Sequence, residues 1–431
     1  MIGTVTATDT HRAIDAVWRI ESPRLIAGLT RITGDVGLAE DLAQDALVAA
    51  LEQWPQSGIP DNPGAWLMTT GKRRAIDGFR RNQRVDRKHE ELGCELVERE
   101  LTVPDVAGAL DDTIGDDLLR LVFIACHPVL STDAQVALTL RLLGGLTTDE
   151  IARAYLVPEA TIAQRIVRAK RTLSEKHIPF EVPRGKELET RLASVLAVIY
   201  LIFNEGYSAT AGDDWLRPTL CDEALRLGRI LAELAPKEPE VHGLVALMQI
   251  QASRAKARVG PSGEPILLFD QKRELWDHLL IHRGFAALDR AEKLDRGWGS
   301  YRFQAEIAAC HARARTPEET DWTRMVELYS QFSAASGSPI VELNRAVAVS
   351  MASGPQAGLQ IVDELRSDPA LKGYHLLPSV RGDLLKKLGR FDEARLEFES
   401  AASMTRNTRE RELLLERSRS CAALARGSSA E

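Results

Sequence analysis

The stretch that decides the fold is GLTTDEIARAYLVPEATIAQRIVRAKRTL, at residues 145–173. Thr147 and Glu150 have the T-x-x-E spacing of a capping box, which predicts the start of a short helix. Pro158 predicts a turn after this helix, because proline cannot extend one helix but suits the start of the next. These signals predict two short helices joined by a tight turn.

The second of these helices has one apolar and one polar face. A helical period predicts a buried stripe of Ile162, Ile166, Ala169 and Leu173. The outward-facing residues are then Thr161, Gln164, Arg165, Arg168 and Arg171. The major groove of DNA accepts such a helix, since Gln and Arg pair with base edges while other basic residues contact phosphates. The pattern favours a DNA-binding helix-turn-helix over its structural alternative, two packed helices with solvated basic residues.

Nearer the N-terminus, GLAEDLAQDALVAALEQWP at residues 37–55 predicts an amphipathic helix. Its apolar face consists of Ala43, Ala46, Leu47, Ala50, Leu51 and Trp54. Its polar face consists of Asp41, Gln44, Asp45 and Glu52. DNA repels an acidic face, so this face is available to a basic protein partner. A merely solvated face is the alternative.

A basic, aromatic helix is predicted next, in NPGAWLMTTGKRRAIDGFRRNQR at residues 62–84. It follows the Pro- and Gly-rich loop PQSGIPDNP and places Trp66 and Phe79 among Lys and Arg. Basic residues that follow a backbone, beside aromatic groups and loop pockets for unstacked bases, are typical of single-stranded DNA binding. Both aromatic residues fit the core equally well.

Charge is segregated along the chain. The net charge of -7 taken alone argues against nucleic-acid binding. Residues 72–88, however, hold eight basic and two acidic residues, residues 89–150 hold three arginines and thirteen carboxylates, and residues 151–171 hold five basic residues and one acid. A solvated helix face explains any one basic run. Two basic elements on either side of an acidic segment favour two separate contacts with a polyanion.

Composition and length limit the class of protein. The 431 residues suggest about three domains, and 44% hydrophobic with 27% charged residues excludes a disordered or fibrous chain. Apolar spacings of three and four predict an all-α fold. No apolar run is long enough to span a bilayer and no signal peptide is evident, so we expect a cytoplasmic protein without membrane contact. Five cysteines without a CxxC pair favour buried thiols over a disulfide framework or a zinc site.

The C-terminal part predicts helical repeats. LGRFDEARLEFESAAS, at residues 388–403, has the Leu-Gly, aromatic, Ala, Phe, Ala spacing of a tetratricopeptide repeat. Ala357 precedes Ala394 by 37 residues, near the period of about 34 expected for such repeats. A weaker relative, EALRLGRILAELAPKEPE, lies at residues 223–240. We therefore predict an α-solenoid of tetratricopeptide-like helix pairs.

The order of these motifs resembles a known family. AEDLAQDAL, PGAWLMTTGKRRAIDGFRR and the helix-turn-helix stretch resemble, in order and spacing, regions 2 and 4 of the extracytoplasmic-function (ECF) sigma factors of bacterial RNA polymerase. CHPVLSTDAQVALTLRLLGGL, YLIFNEGYSAT and GEPILLFDQKRELWD are similar to the ECF subgroup with a large tetratricopeptide-like C-terminal extension. The resemblance implies sigma region 2 at residues 8–87, an acidic linker at 88–104, sigma region 4 at 105–178 and the helical extension at 185–425.

The resemblance also implies partners and site residues. The chain would be a sigma factor and not an enzyme, with no cofactor or metal, and would direct promoter-specific initiation. Its partners would be core RNA polymerase, through the β′ clamp and the β flap, and promoter DNA as duplex and as single strand. The positions matching the clamp-binding surface are Asp41, Gln44 and Asp45. Those matching contacts to the -10 element are Ile59, Asp61, Asn62, Lys72, Arg73, Arg80 and Arg81. Those matching contacts to the -35 element are Thr161, Gln164, Arg165, Arg168 and Lys170.

Two features of the sequence depart from this picture or extend it. Ala163 stands where the family often has a basic or polar residue, so contacts to the -35 element would be fewer. The size of the extension suggests that it regulates activity, and the subgroup makes a DGPF-domain protein a candidate partner for it.

Two other functions compete with this interpretation. One is a helix-turn-helix transcriptional regulator with a ligand- or peptide-sensing repeat domain, which leaves the acidic face and the basic helix without a role. The other is a zinc enzyme built on His278 and His282, which lacks the Glu of an HExxH motif. Transcription with core polymerase distinguishes a regulator from a sigma factor, since only a sigma factor would start synthesis.

Overall fold

The computed structural model describes residues 7–83, 117–294 and 297–428. Within these ranges the regular structure is helical, apart from one parallel pair of two-residue strands, β1 (Ala211–Gly212) and β2 (Arg406–Asn407). The predicted all-α class is therefore confirmed. The chain divides into two compact units, Met1–Leu201 and Ile202–Glu431.

The first unit contains the helices of both predicted sigma regions. They are α1 (Ala7–Thr33), α2 (Val36–Ser57), α3 (Pro63–Gln83), α4 (residues 117–125), α5 (Thr132–Leu142), α6 (Thr148–Tyr155), α7 (Glu159–Glu175) and α8 (Lys186–Tyr207), which ends in the second unit. The predicted acidic linker, residues 88–104, and the start of predicted region 4, residues 105–116, lie outside the described residues.

Helices α1, α2 and α3 pack against one another around an aliphatic and aromatic core. Leu29 and Leu67 are buried there, and Trp54 packs edge-on against Trp66, with ring centroids 5.3 Å apart. Gly71 allows close packing, because a Cβ at this position would lie 3.0 Å from Leu29 Cδ1. The indole of Trp66 is thus partly a core group, which supports the structural alternative for that residue.

The helix-turn-helix forms as the local signals predict. The Thr147 hydroxyl accepts from the Glu150 backbone N–H at 3.1 Å, and the Glu150 carboxylate accepts from the Thr147 N–H at 2.8 Å, which completes the capping box. Leu156 ends α6 in the left-handed conformation, with φ of 52°, and turns the chain into α7. The predicted stripe on α7 is confirmed as buried: Ile162, Ile166, Ala169 and Leu173.

The second unit continues with helices alone, apart from the short strands and 3-10 turns. They are α9 (Pro218–Leu234), α10 (Pro239–Ala252), α11 (His278–Lys293), α12 (Ser300–Arg313), α13 (Trp322–Ser336), α14 (Pro339–Ser353), α15 (Pro355–Leu365), α16 (Leu376–Lys387), α17 (Phe391–Met404) and α18 (Thr408–Ser428). Short 3-10 turns lie at Ala255–Ala257, Leu268–Asp270, Arg273–Leu275 and Pro369–Leu371.

Each helix from α9 to α18 packs against the next one in sequence, as expected for a repeat array. In the pair α16–α17, Ala394, Phe398 and Ala401 form the buried face that the repeat spacing predicts. Gly382 admits the Phe398 ring, since a Cβ there would lie 2.9 Å from Cε1. The alternation of small and large residues therefore sets the distance between these two helices.

Three further sequence expectations concern the second unit and the cysteines. His278 and His282 are both exposed, and no metal-binding cluster of His, Cys, Asp or Glu occurs among the described residues. Cys126, Cys310 and Cys421 are buried free thiols and Cys221 is a half-buried one, while Cys94 lies outside the described residues. In the described part of the chain, every helix is too short or too polar to cross a bilayer.

Candidate polymerase and promoter interface

The outer face of α2 is acidic and largely open to solvent. Asp41 and Asp45 are exposed. Gln44 is half-buried and donates its side-chain N–H to Glu40 at 2.8 Å. Asp45 also pairs with Arg74 of α3 at 3.1 Å, and both side chains are well exposed. The predicted clamp-binding residues therefore lie on one helix and place two carboxylates at the surface.

The loop between α2 and α3 is exposed at Ile59, Asp61 and Asn62. The Asn62 side chain accepts from the Ala65 backbone N–H at 3.0 Å and so caps α3. This capping contact is a structural role that the sequence interpretation did not assign to Asn62.

Helix α3 presents the predicted basic residues unevenly. Arg73 and Arg80 are exposed and Lys72 is half-buried, while the side chain of Arg81 lies outside the described residues. The helix thus offers exposed guanidinium groups on the side away from the core residue Leu67.

Most of the predicted -35 residues lie on the solvent side of α7. Gln164 and Arg168 are exposed and one turn apart, and Thr161 is half-buried. Arg165 pairs with Asp133 of α5 at 3.0 Å, in contact with solvent. Arg171 pairs with Glu175 at 2.7 Å within the same helix.

Lys170 departs from this arrangement, because its ammonium group pairs with Glu40 of α2. Glu40 is only 2% exposed, and the Nε of Arg141 also donates to it at 2.7 Å. Lys170 stays a predicted -35 contact, but its charge is engaged on the side of α7 that faces α2. Neither Glu40 nor Arg141 was among the residues predicted for the interface.

Two more ion pairs join the helices of the two sigma regions. Arg19 of α1 contacts Glu150 of the capping box at 2.8 Å, and Arg31 of α1 contacts Asp117 of α4 at 2.9 Å. Together with the contacts of Glu40, they join α1 and α2 to α4, α5, α6 and α7.

The two buried carboxylates in this contact respond differently to their surroundings. Burial raises the pKa of Glu40, but the charges and hydrogen bonds of Lys170 and Arg141 outweigh it, so its pKa lies below the ordinary value. At Asp117, burial outweighs Arg31 and Arg120, and the pKa is raised. The surroundings of Glu40 therefore favour its ionised form, whereas those of Asp117 favour the protonated form.

A signal for Glu40 was present in the sequence. Val36, Glu40, Ala43 and Leu47 follow a helical period, so Glu40 falls within the apolar stripe of α2. A carboxylate within such a stripe is buried only when it is paired. The position of Glu40 was readable, but its partners were not, because Arg141 is 101 residues away.

Known protein families match both predicted sigma regions of the chain. Residues 18–85 match the family model of sigma-70 region 2, and residues 120–173 match that of sigma-70, region 4. Over 182 residues the chain is 27% identical to the probable ECF RNA polymerase sigma factor SigI of Mycobacterium tuberculosis, covering 42% of this chain and 61% of that protein. It is 29% identical over 154 residues to the ECF RNA polymerase sigma factor SigK of Mycobacterium ulcerans, covering 35% and 78%. The chain belongs to the ECF sigma factors.

This ECF sigma factor carries a C-terminal extension beyond both sigma regions. Residues 191–292 match a family of unknown function (DUF6596). Over 390 residues the sigma factor is 44% identical to the uncharacterized protein R00370 of Rhizobium meliloti, covering 90% of this chain and 91% of that protein. No solved structure matches the chain. As a member of this family, the protein is a transcription initiation factor that binds core RNA polymerase and promoter DNA, and not an enzyme.

Proposed function

We propose that this ECF sigma factor docks on the polymerase clamp through α2, contacts the -10 element through the α2–α3 loop and α3, contacts the -35 element through α7, and is regulated through its extension. The observation that carries the proposal is the capped helix-turn-helix whose outer face displays Gln164 and Arg168. Bacterial promoter DNA lies in the cytoplasm, so we also propose that the protein acts there.

The acidic surface of α2 supports the docking part of the proposal. Asp41 and Asp45 are exposed carboxylates, which attract a basic partner and raise its association rate. Asp45 would exchange Arg74 for a polymerase residue. This exchange costs little, because exposed ion pairs contribute about 0–1 kcal/mol.

The polar face of α7 supports the promoter part. Gln164 and Arg168 are four residues apart, so their side chains lie on the same face of the helix. Gln pairs with adenine and Arg with guanine in the major groove, at about 1–3 kcal/mol of discrimination for each good contact. Arg165 joins them if it leaves Asp133, which is again an exposed pair.

Promoter opening then follows from differential binding. Unstacking a base step costs a few kcal/mol, so free DNA stays closed. If the α2–α3 loop binds unstacked bases while α7 holds the duplex upstream, the complex favours the open form by the difference in binding free energy. This chain is required to bind and orient DNA, and catalysis stays with the polymerase.

Regulation through the extension is supported by its size, since residues 185–425 exceed the two sigma regions together. Repeat arrays of this kind present extended surfaces to other proteins. A DGPF-domain protein is the candidate partner. Removing the extension would change promoter output if it regulates, and unchanged output in cells would contradict this part of the proposal.

Reconstituted transcription tests the central proposal. The full chain is added to bacterial core polymerase with a library of genomic fragments from the source bacterium, and transcript starts are mapped. We expect starts at a small set of sites that core polymerase alone does not use. The variants Asp41→Lys and Arg168→Ala should each reduce them at least tenfold, whereas Glu189→Lys, at an exposed carboxylate of α8 outside the predicted contact surfaces, should reduce them much less. Binding to duplex fragments without any start of synthesis would instead indicate a helix-turn-helix regulator.

A further inference from the structure

Buried polar groups without partners concentrate at one place in the second unit. Among the described residues of this unit, six buried side-chain atoms have no hydrogen-bond partner: Oε1 of Gln249 and Gln271, the Nε atoms of Arg254 and Arg273, Nε1 of Trp276 and Nδ1 of His311. The last four are nitrogen atoms of residues that contact or surround one another. Trp276 is 4% exposed and His311 is 9% exposed. Buried polar groups are normally satisfied, so a group of four that are not requires an explanation.

These four residues, here called the arginine–tryptophan cluster, lie close together. The guanidinium carbons of Arg254 and Arg273 lie 5.9 Å and 4.8 Å from the centre of the Trp276 ring. Arg273 also donates to the backbone carbonyl of His311 and, at 2.6 Å, to that of Ala314. The cluster therefore gathers three residues from the connection between α10 and α11 and one from the end of α12.

The cluster carries positive charge without a matching carboxylate. Within the described residues, no Asp or Glu lies within ion-pair distance of Arg254 or Arg273. Glu318 and Glu319 act on Arg273 only from a distance and are exposed. His311 adds no charge, because burial and then the two arginines lower its pKa to about 3.

Several other arginines of the second unit have a carboxylate partner, although the buried Arg258 instead donates to the Tyr207 carbonyl and packs on the Tyr207 ring. Arg217 pairs with Glu205, and Arg381 bridges Asp363 and Glu397 at 2.7 Å and 2.6 Å. Two like charges close together and partly shielded from water repel each other, and this repulsion is relieved when a counter-ion binds between them. The planar guanidinium fork suits carboxylate and phosphate oxygens in particular.

We propose that Arg254, Arg273, the indole N–H of Trp276 and the imidazole of His311 form a binding site for the oxyanion group of a small molecule, a carboxylate or a phosphate. The two guanidinium groups supply the charge, the indole N–H donates a directed hydrogen bond, and the neutral imidazole donates one from Nδ1 in the tautomer that carries the proton there. Binding is measured on the protein alone, so the inference does not rest on the proposed function.

The test is calorimetric titration and thermal unfolding of the full chain with inorganic phosphate and with acetate, against chloride at the same ionic strength. We expect saturable binding of at least one of the two oxyanions, and a melting temperature that rises with its concentration. The anion with the lower dissociation constant, phosphate or acetate, shows whether the site prefers a phosphate or a carboxylate ligand. A response equal to that of chloride in both arms would overturn the proposal.

Arg254→Gln is the decisive variant, because among the described contacts its guanidinium makes ring contacts but no hydrogen bond or ion pair. We expect the dissociation constant for the anion to rise at least tenfold. In chloride buffer the loss of the two ring contacts should lower the melting temperature slightly, so the decisive readout is the rise of the melting temperature with the oxyanion, which should disappear. A rise with the oxyanion equal to that of the wild type would overturn the proposal.

Arg366→Gln is the matched control, since Arg366 is an exposed arginine of the same unit. It should bind the anion as the wild type does. Trp276→Phe keeps the aromatic ring but removes the N–H. We expect this variant to bind the anion more weakly and to keep an unchanged far-UV spectrum. An unchanged dissociation constant in both Arg254→Gln and Trp276→Phe would contradict the site.

Discussion

The Glu40 site of the first unit and the arginine–tryptophan cluster of the second differ in how their charges are partnered. The Glu40 carboxylate is buried, whereas Arg254 and Arg273 are half-buried. Glu40 has two cations, Arg141 and Lys170, at ion-pair distance. Arg254 and Arg273 have no carboxylate at that distance among the described residues. Since an unpaired shielded charge is costly, the first site is complete within the chain, whereas the second lacks an ion that a ligand would supply.

Removal of the Glu40 charge should have the largest effect on stability. Glu40→Gln keeps the shape of the side chain but leaves Arg141 and Lys170 without a counter-charge. Breaking a buried pair in this way costs about 3–5 kcal/mol. In a calorimetric scan of the full chain, the transition of the first unit should fall by about 6–12 °C for about 3 kcal/mol.

Glu52→Gln is the control for this prediction, because Glu52 is exposed on the same helix. The free energy of unfolding of this variant should differ from that of the wild type by less than about 0.5 kcal/mol. If Glu40→Gln were as mild as Glu52→Gln, the Glu40 contacts would be weak surface pairs, and the contrast with the cluster would disappear.

The pH dependence of the second unit should be the next largest effect. Burial, Arg254 and Arg273 lower the pKa of His311 to about 3 in the folded chain, whereas the unfolded chain takes up this proton near pH 6.5. Below pH 6.5 the unfolded state therefore binds more protons, and stability falls by about 1.4 kcal/mol per pH unit. Between pH 6.5 and pH 5 this amounts to about 2 kcal/mol.

Glu40 titrates in a different range. Its lowered pKa means that its contribution is complete above its ordinary value of 4.5 and is lost only as the pH falls below that value. His127 of the first unit also has a pKa lowered by burial. The comparison is therefore made within the second unit, where His311→Gln should flatten the loss of stability between pH 6.5 and pH 5. An equally steep loss in this variant would assign it to other groups.

The sequence could predict the helix-turn-helix but not the partners within these two sites. The reason is the number of residues that separate the interacting side chains along the chain. Thr147 and Glu150 lie within one helical turn and Pro158 acts on its immediate neighbours, so local spacing alone predicts the capping box and the turn. The face of α2 was predictable for the same reason. Glu40 was marked by its place in the apolar stripe, but Lys170 meets it only through packing of α2 on α7.

The arginine–tryptophan cluster had no local signal at all. Arg254, Arg273 and Trp276 lie around short 3-10 turns, and His311 is near the end of a distant helix, so no period relates them. The two stretches that drew attention in the extension do meet near it: Tyr207 of YLIFNEGYSAT lies 5.8 Å from the guanidinium carbon of Arg254, and Arg273 and Trp276 belong to GEPILLFDQKRELWD.

Lys170 tests whether a residue predicted for DNA serves the Glu40 site instead. Lys170→Met keeps the aliphatic stem and removes the charge, while Arg141 still pairs with Glu40. We expect the free energy of unfolding of the first unit to fall by about 1.5 kcal/mol, the lower end of the contribution of one hydrogen bond to a charged group. If Lys170 also contacted a promoter phosphate, the dependence of log affinity on log salt would become shallower by about one unit.

The smallest effect on stability is expected at Arg165, and this variant separates stability from recognition. Arg165 pairs with Asp133 at 3.0 Å, but their side chains are 33% and 67% exposed, so the pair is screened by water. Arg165→Ala should therefore cost less than about 1 kcal/mol. Its effect on transcription should be larger, because losing one base contact costs about 1–3 kcal/mol, or roughly tenfold or more in affinity. Asp133→Ala removes the same ion pair yet keeps the arginine, so it should leave promoter affinity equal or higher. Equal losses of transcription in the two variants would mean that the pair serves only to hold α5 against α7, and that Arg165 does not contact DNA.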